Sequence, residues 1–536
     1  MNELWKERVA YQIYPRSFND SNNDGIGDIP GIIEKLDYLK DLGVGIIWLS
    51  PVYKSPQKDN GYDVSDYLDI DPLFGTLEDM DNLIKAAEKR DIKIIMDLVL
   101  NHTSDQHIWF QKSREGIEPY KDYYIWKDPK NGSYPNNWDS IFTGPAWKYD
   151  ELRKQYYLHL FAEEQPDLNF HNQKVIEEIK NIMRFWLERG IYGFRCDAVN
   201  VIYKSSFKDS VTKSVRKGRE YYLSQPGNHL ILKELKKDVL DNYDCFTVGE
   251  AGHVDKETAH LFCDKKSKEL DMIFTFDHLE THEYLVKWFR RKFKPKKFFE
   301  KLSFWQKELE WNPIFFENHD QIRSVTDLGN DKLYWQESSK MLATLLLTLK
   351  GTPFIYQGEE IGMTNANFKS LAEIEDIESL NGFKMLRKWG LPKFLAEKFI
   401  LKSSRDNCRT PFQWNDDKYA GFSTTKPPLK LCDNYQRINA ESQIEAKTSI
   451  LNFYKQLIGL RKTEETLVKG DFTELLITNH LFAYERQYQD KSLIIIVNSS
   501  KKKQRISIKG ELVLSNYKRT DFNGNLSPYE AVILRK

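Results

Sequence analysis

Four apolar runs with the composition of buried β-strands each end in acidic residues. They close in the motifs DLVLNH (97–102), GFRCD (193–197), TVGE (247–250) and ENHD (317–320). In a closed α/β barrel, the carboxyl ends of the parallel strands converge on one pocket. A single acid at a strand end is often only a turn or helix-capping residue. Four such motifs in series predict one shared site instead.

The apolar runs alternate with amphipathic stretches along most of the chain. Helical patterns cover residues 30–43, where Gly43 is the expected glycine after the helix, and residues 77–91. Eight strands that alternate with helices are typical of a (β/α)8 TIM barrel, an α/β fold. The predicted strands begin at Val9, Gly45, Lys93, Gly190, Asp244, Asp271, Asn312 and Thr352.

A length of 536 residues predicts more than one domain. We expect the barrel to comprise residues 1–102 and 172–464, with a partly helical insertion at about 365–417. Residues 103–171 are loop-rich and aromatic, which predicts a subdomain inserted after the third strand. Short alternating runs in residues 465–536 predict a C-terminal antiparallel β domain.

The charge balance argues against polyanionic partners. Lys+Arg and Asp+Glu both number 79, so the formal net charge is zero and no global field favours nucleic acid or an anionic membrane. We interpret the basic stretch 288–299 as a solvated helix face followed by a turn. Five cysteines without close pairing predict free thiols in a reducing compartment. With a charged N-terminal segment and no long apolar run, we expect a cytoplasmic protein without a membrane partner.

The residues around the acids predict different roles for them. On a strand, Arg195 and Asp197 share one face, and a neighbouring arginine lowers the pKa of a carboxyl group, as a glycosyl nucleophile requires. Taken alone, this pair is more typical of a structural salt bridge. Glu250, beside a glycine in an apolar setting, predicts a raised pKa that suits a general acid and base.

The last motif adds a further acid and a histidine. Asp320 suits the stabilisation of positive charge on a sugar ring, and His102 and His319 suit hydrogen bonding to sugar hydroxyls. Three acids in one dry pocket predict chemistry at a glycosidic bond, with a small oligosaccharide as the substrate.

Over nearly its whole length, the chain resembles the α-amylase superfamily of retaining glycoside hydrolases, and within it the oligo-1,6-glucosidase and α-glucosidase subfamily. The resemblance implies that Asp197 is the nucleophile, Glu250 the acid/base and Asp320 the transition-state stabiliser. The motif QPDLN resembles the signature of the exo-acting members. The matching motifs are YQIYPRSFNDSNNDGIGDIPGI, WLSPVYKSP, NGYDVSDY, QPDLN, GTPFIYQGEEIG and RDNCRTPFQW.

The same resemblance implies the substrate-binding residues. Asp59 and Arg405 match the pair that grips the hydroxyls of the non-reducing end and closes the pocket, which makes an enzyme exo-acting. A plain turn residue is the alternative for Asp59. Tyr62 resembles the aromatic platform under the first sugar. The remaining residues of that subsite are Arg195, His102 and His319.

An oxygen-rich loop near the N-terminus predicts a calcium site. Positions one, three, five and nine of the loop are Asp20, Asn22, Asp24 and Asp28, and Ile26 at position seven offers its carbonyl. A glycine follows Asp24, as a calcium-binding loop of this spacing requires, but position twelve is not glutamate. The resemblance also implies a structural calcium ion in this subfamily. A plain turn rich in Asp and Asn is the alternative.

Linkage specificity is predicted from the residue after the nucleophile. In the family this residue tends to be valine in α-1,6-preferring members and smaller or polar in α-1,4-acting ones, and here it is Ala198. Residues 250–253 and Ile322 also depart from the α-1,6 pattern. We therefore expect a retaining exo-acting α-glucosidase that favours α-1,4 linkages, with α-1,6 cleavage as the close alternative.

Further alternatives differ in what they require. Trehalose-6-phosphate hydrolysis needs a cationic phosphate grip near the second sugar, which the sequence does not locate. Sucrose isomerisation is expected to use an arginine-rich loop, whereas residues 323–331 contain one arginine. A non-catalytic barrel, as in the heavy subunits of amino-acid transporters, is disfavoured because all three acids are present.

Overall fold

The structure is a computed structural model that describes residues 3–213, 216–264 and 268–536. Eight parallel strands form one sheet in the order β6-β5-β4-β3-β2-β1-β8-β7, and β6 approaches β7 so that the sheet nearly closes into a barrel. Each predicted run contains one strand, which confirms the (β/α)8 barrel. The strands are β1 (Ala10–Ile13), β2 (Ile46–Leu49), β3 (Lys93–Val99), β4 (Gly193–Asp197), β5 (Phe246–Glu250), β6 (Met272–Phe274), β7 (Pro313–Ile314) and β8 (Thr352–Tyr356).

The strand register brings the acidic motifs level with one another. Asp97 on β3 lies opposite Arg195 on β4, and Cys196 lies opposite Gly249 on β5. Glu250 is therefore level with Asp197. Gly193 allows this close pairing, because a Cβ at its φ of +153° would lie 1.8 Å from the carbonyl oxygen of Phe246.

The helices surround the barrel and follow the sequence pattern closely. Helix Leu77–Glu88 begins with a capping box between Thr76 and Asp79 and buries its apolar face. The helix predicted at 30–43 is instead two helices, because the Lys35 amide bonds back to Ile32 in a tighter turn. Gly43 ends the second helix with a φ of 98°, as predicted. The longer helices outside the two insertions are Ile29–Glu34, Leu36–Leu42, Leu77–Glu88, Gln173–Glu188, Pro226–Asp238, Lys256–Cys263, Pro295–Glu308, Trp335–Thr348 and Ile450–Thr463.

Two long segments between barrel strands cover the carboxyl ends of the strands. The first, between β3 and β4, contains helix Ile108–Arg114 and a three-stranded antiparallel sheet. Its Trp138 packs in an apolar cluster with Ala198 and Val201, which fixes the segment against the loop after β4. The second, after β8, contains helices Ile377–Lys388 and Lys393–Ser403. The sheet strands of the first segment are Trp126–Lys127, Trp147–Asp150 and Gln155–Leu158.

The interpretation of the basic stretch 288–299 was wrong. Strand Val286–Arg290 occupies its first part, and helix Pro295–Glu308 begins in its second part. Trp288 is buried in an apolar cluster against the helices of the second insertion. The stretch is therefore not a solvated face, because it packs Trp288 against the second insertion.

The C-terminal segment forms an antiparallel five-stranded sheet in the order β9-β10-β11-β13-β12. The buried guanidinium of Arg486 donates to the carbonyls of Thr348 and Gly470, and so joins this sheet to the barrel. The five cysteines are free, and none of the helices in the described ranges is long and apolar enough to cross a membrane. The strands are β9 (Asp471–Ile477), β10 (Leu481–Tyr488), β11 (Lys491–Asn498), β12 (Glu511–Ser515) and β13 (Ala531–Arg535).

Candidate active site

A cavity of about 570 Å³ opens at the carboxyl ends of the barrel strands. Asp197 is the last residue of β4, Glu250 is the last residue of β5, and Asp320 follows β7. The structure thus brings three acids that are distant in the sequence to the wall of one cavity. The other predicted residues that line it are Asp59, Tyr62, His102, Ala198 and Arg405.

Arg195 is the electrostatic centre of the site, although it lies buried behind the cavity wall. Its Nη1 donates to Asp97 at 2.6 Å and to Asp197 at 2.5 Å, and its Nη2 contacts Glu250. Asp97 is fully buried and also accepts from the indole of Trp48. One guanidinium therefore fixes three carboxyl groups. Asp97 was not among the predicted site residues, although its motif was the first of the four acidic signals.

The Asp197 and Glu250 carboxyl groups both accept from the Arg195 guanidinium, and each affects the pKa of the other. Burial raises the pKa of Glu250 to about 7, as predicted from its apolar setting. Burial also raises the pKa of Asp197 to about 6, because Arg195 opposes the desolvation but does not outweigh it. Arg195 lowers the pKa of Asp197 as expected, but the net shift is upward because burial is the larger effect.

The position of these two groups also bears on the stereochemistry. A retaining glycosidase holds its two carboxyl groups about 5–5.5 Å apart, and an inverting enzyme holds them about 6.5–9.5 Å apart. The two nitrogens of the Arg195 guanidinium each contact one of the two carboxyl groups, which holds them on the same side of the cavity. Retention stays a prediction.

Asp320 differs from the other two acids because cations surround it. It accepts from Arg405 at 2.8 Å and from Arg409 at 3.1 Å, and it lies 3.1 Å from the His319 ring. Burial alone would raise the pKa of Asp320, but His319 and the arginines hold it well below its usual range. Asp320 is therefore a fixed negative charge. Glu317, in the same motif, pairs with Arg323 instead and does not line the cavity.

Tyr62 and His319 form a stacked pair beside the acids. Their ring centroids are 5.2 Å apart with planes inclined by 4°, and the Tyr62 hydroxyl lies 2.6 Å from His319 Nε2. The other ring nitrogen of His319 contacts Gln12 at 2.7 Å. Burial lowers the pKa of His319. Tyr62 faces the cavity, whereas His319 is buried behind it.

An ion pair between Asp59 and Arg405 lies in the wall of the cavity. Arg405 Nη2 lies 3.2 Å from Asp59 Oδ1 and 2.5 Å from the fully buried Asp376. Gln165 donates to Asp59 at 3.1 Å and lies 3.0 Å from His102 Nε2. Burial raises the pKa of Asp59 to about 7 and lowers that of His102 to about 4. We call this group of five residues the inner end.

Two members of the inner end were missing from the predicted site. Gln165 belongs to the motif QPDLN, so the family resemblance could have identified it as a site residue. Asp376 stands in the stretch AEIEDIES, which has no feature to set it apart from other acidic surface sequences. Only the packing of the second insertion against the barrel reveals its contact with Arg405.

The opposite side of the cavity carries several basic residues. Ala198, directly after Asp197, has a left-handed backbone with a φ of 43°. Beyond it, the cavity is lined by four residues that we call the outer wall. They are Arg216, Arg219, His253 and Glu280.

The N-terminal loop contains the donors predicted for calcium. Carboxylate, amide and carbonyl oxygens are the ligands that calcium takes. In the structure, Asp20 and Asp24 accept from backbone amides of the loop, and Asp28 accepts from Ser21 and Gly31. Across the described residues, no group of three or more His, Cys, Asp or Glu side chains is placed to hold a metal. The donor types fit calcium, and its binding here stays a prediction.

The barrel, its three converging acids and its cavity define an enzyme that acts on glycosidic bonds. The chain matches the family model for the alpha amylase catalytic domain over residues 12–470, and it belongs to the alpha-amylase family of glycoside hydrolases.

Relatives in this family cover the chain almost completely. The chain is 46% identical to an oligo-1,6-glucosidase from Bacillus cereus, and the match covers 99% of each chain. The crystal structure of a trehalose-6-phosphate hydrolase from Bacillus licheniformis is similar with a TM-score of 0.92 and 42% identity, covering 99% of each chain. That of a trehalulose synthase from Pseudomonas mesoacidophila MX-45 is similar with a TM-score of 0.95 and 38% identity, again over 99% of each chain.

Proposed function

We propose that this protein is a retaining, exo-acting α-glucosidase that releases glucose from short α-1,6-linked oligosaccharides. The observation that carries the proposal is the Asp59–Arg405 ion pair, which lies in the cavity wall with the three acids. An end closed by this pair would admit one terminal glucosyl unit and block the passage of a longer chain. The oligo-1,6-glucosidase from Bacillus cereus, at 46% identity, supports the linkage.

Asp197 and Glu250 would perform a two-step displacement. Asp197 attacks the anomeric carbon while Glu250 donates its proton to the leaving oxygen, which gives a covalent glucosyl-enzyme. Glu250, now ionised, then takes a proton from the attacking water, and α-glucose is released. With a pKa of about 7, about half of Glu250 is protonated at pH 7, while the lower pKa of Asp197, about 6, leaves the nucleophile mostly ionised.

The remaining charged groups would stabilise the transition state. Asp320 keeps its negative charge next to Arg405 and Arg409, so it can face the positive charge that develops on the sugar ring. Arg195 holds both reacting carboxyl groups in position. Neutral His102 and Tyr62, which line the cavity, offer hydrogen bonds to the sugar hydroxyls.

The expected preference for α-1,4 linkages is not favoured by the similarity to an oligo-1,6-glucosidase. That expectation rested on Ala198, residues 250–253 and Ile322, whereas similarity to the Bacillus cereus enzyme extends over 99% of the chain. Ala198 remains the observation in favour of α-1,4 cleavage, since its small side chain lines the cavity directly beside the nucleophile. An α-1,4-glucosidase is therefore the second candidate.

Initial rates on isomaltose and maltose separate the two candidates, and proton NMR shows which anomer forms first. We expect isomaltose to be cleaved faster, with α-glucose as the first product. Faster cleavage of maltose would favour the α-1,4 candidate, and initial β-glucose would exclude retention. Product analysis with sucrose distinguishes hydrolysis from isomerisation. Failure to cleave any α-glucoside would overturn the proposal.

A further inference from the structure

Arg405 has more acidic neighbours than a single guanidinium can neutralise. It lies 3.2 Å from Asp59, 2.8 Å from Asp320 and 2.5 Å from Asp376. A fourth carboxyl group, that of Glu378, lies 3.4 Å from Arg405 Nε and lines the cavity. Only 8% of the Glu378 side chain is exposed, so water screens its charge weakly. Unless another cation offsets it, Glu378 competes with the other three acids for Arg405.

Lys287 provides that cation. Its Nζ lies 2.5 Å from Glu378 Oε2, and 20% of its side chain is exposed. Exposed ion pairs contribute little to stability, but removal of one partner from a buried pair leaves the other charge uncompensated. Arg409 has the corresponding role for Asp320, which it contacts at 3.1 Å. The four carboxyl groups around Arg405 are thus shared among three cations.

The backbone around Lys287 is fixed by packing. Lys287 belongs to strand Val286–Arg290, and the next residue, Trp288, is buried in the apolar cluster with the helices of the second insertion. A Cβ added at Gly382 would lie 2.5 Å from the Trp288 ring, so the ring packs directly on the first of these helices. Glu378 stands in the first turn of the same helix. Lys287 and Glu378 therefore meet because their two elements share one cluster.

We propose that Lys287 is a positioning residue for recognition of the terminal glucose, and that it acts through Glu378 on Arg405. The inference rests on the proposed function, which places that glucose beside Asp59 and Arg405. With its charge balanced by Lys287, Glu378 does not draw Arg405 away from Asp59. The guanidinium then keeps the geometry in which it and Asp59 can bind sugar hydroxyls. Lys287 therefore affects the affinity for glucose without contributing a group to the reaction.

Glucose itself is the probe, because it fits the terminal-sugar position and carries no leaving group. We expect Lys287→Met to weaken competitive inhibition of nitrophenyl α-glucoside hydrolysis by glucose about tenfold. KM for isomaltose should rise similarly, whereas kcat should fall less than about threefold, because Asp197 and Glu250 keep their contacts with Arg195. Lys287→Arg retains the charge and should bind glucose within about twofold of the natural protein.

Lys292→Met is the matched control. It removes the same charge two residues beyond the strand, where Lys292 is exposed, does not line the cavity and forms no ion pair within the described ranges. The control should leave glucose affinity unchanged. Equal losses in the Lys287 and Lys292 variants would overturn the proposal, because the effect would then be one of general charge. Unchanged glucose affinity in Lys287→Met would overturn it as well.

A double variant separates charge from packing. Once Glu378 carries no charge, Lys287 has nothing to neutralise, so Lys287→Met/Glu378→Gln should bind glucose within about twofold of Glu378→Gln alone. A further tenfold loss in the double variant, on the order of that expected for Lys287→Met, would show that Lys287 acts in another way. The same comparison decides the matter if Lys287→Met does not fold, because the double variant buries no unpaired carboxylate.

Calorimetric titration with glucose keeps this inference separate from the proposed function. If isomaltose is cleaved and Lys287→Met binds glucose as the natural protein does, the positioning role alone fails. If no α-glucoside is cleaved, the proposed function fails, and calorimetry of the natural protein and of Lys287→Met still measures the effect on glucose binding. Absence of glucose binding by the natural protein would overturn both.

Discussion

The inner end and the outer wall belong to one cavity, yet they use charge in opposite ways. At the inner end, Arg405 is in contact with Asp59, Asp320 and Asp376, so its charge is fully compensated. At the outer wall, Arg216 and Arg219 face a single acid. A saturated network fixes its members in one geometry, whereas uncompensated charges remain available to a ligand.

This difference separates two tasks that the proposed enzyme must perform. Recognition of one terminal glucose needs a rigid pocket, and the interlocked ion pairs of the inner end provide it. Discrimination among leaving groups falls to the outer wall and to Ala198. The relatives are named for different activities at similar overall identity: oligo-1,6-glucosidase, trehalose-6-phosphate hydrolase and trehalulose synthase.

The largest expected effect is at the junction of the two regions. Asp197→Asn should lower turnover of nitrophenyl α-glucoside on the order of 10⁵-fold, because the amide cannot form the glycosyl ester. Circular dichroism should show an unchanged fold, since Arg195 keeps its contacts with Asp97 and Glu250. Substantial activity in this variant, after deamidation is excluded by mass spectrometry, would falsify the role of Asp197.

The next effect probes the inner end. Asp376→Asn removes the strongest partner of Arg405, and we expect the free energy of unfolding to fall by about 3 kcal/mol. The specificity constant for isomaltose should fall about 100-fold, because Arg405 would no longer hold Asp59 in place. Thermal unfolding and initial rates measure the two effects. Asp416→Asn, at an exposed acid of the same insertion, is the control and should change neither; equal behaviour of the two variants would contradict the network.

The pH profile tests the coupled pair of acids. The specificity constant should peak between the apparent pKa values of the pair, about 6 and about 7. Below this window Asp197 gains a proton and cannot attack, and above it Glu250 loses the proton that the leaving group needs. Each limb should approach a tenfold change per pH unit. In Glu250→Gln the alkaline limb should disappear, and its persistence would assign that limb to another group.

A smaller effect is expected at Ala198. Ala198→Val should raise the ratio of isomaltose to maltose cleavage about tenfold, because the added methyl groups narrow the cavity beside the nucleophile. The left-handed φ of 43° makes a β-branched residue strained there, so some loss of thermal stability should accompany the change. Ala198→Gly, which adopts this backbone freely, is the control and should not raise the ratio. An unchanged ratio in the valine variant would show that Ala198 does not influence the linkage preference.

The smallest effect concerns the N-terminal loop, which lies apart from the cavity. If the loop binds calcium, a chelator should lower the melting temperature by about 5 °C, and added calcium should restore it. Asp24→Asn should abolish this dependence, because Asp24 is one of the predicted ligands. Identical melting of the natural protein with and without calcium would favour the plain turn.

Much of the architecture could be predicted from local patterns in the sequence. Buried strands are apolar runs and helices have capped amphipathic repeats, so all eight barrel strands were found. The prediction of one continuous helix at 30–43 was wrong, because a single tighter turn at Lys35 divides it into two helices. The interpretation of the basic stretch 288–299 as a solvated helix face was wrong because Trp288 is buried.

The sequence by itself determined which residues can perform the chemistry, because the acidic motifs combine a strand-like run with a carboxylate at its end. The tertiary structure alone decided their electrostatics. It showed that burial outweighs Arg195 at Asp197, that Asp376 pairs with Arg405, and that Arg216 and Arg219 form no ion pair within the described part of the chain. Burial and pairing depend on residues brought together from distant parts of the chain, and a linear pattern carries no measure of either.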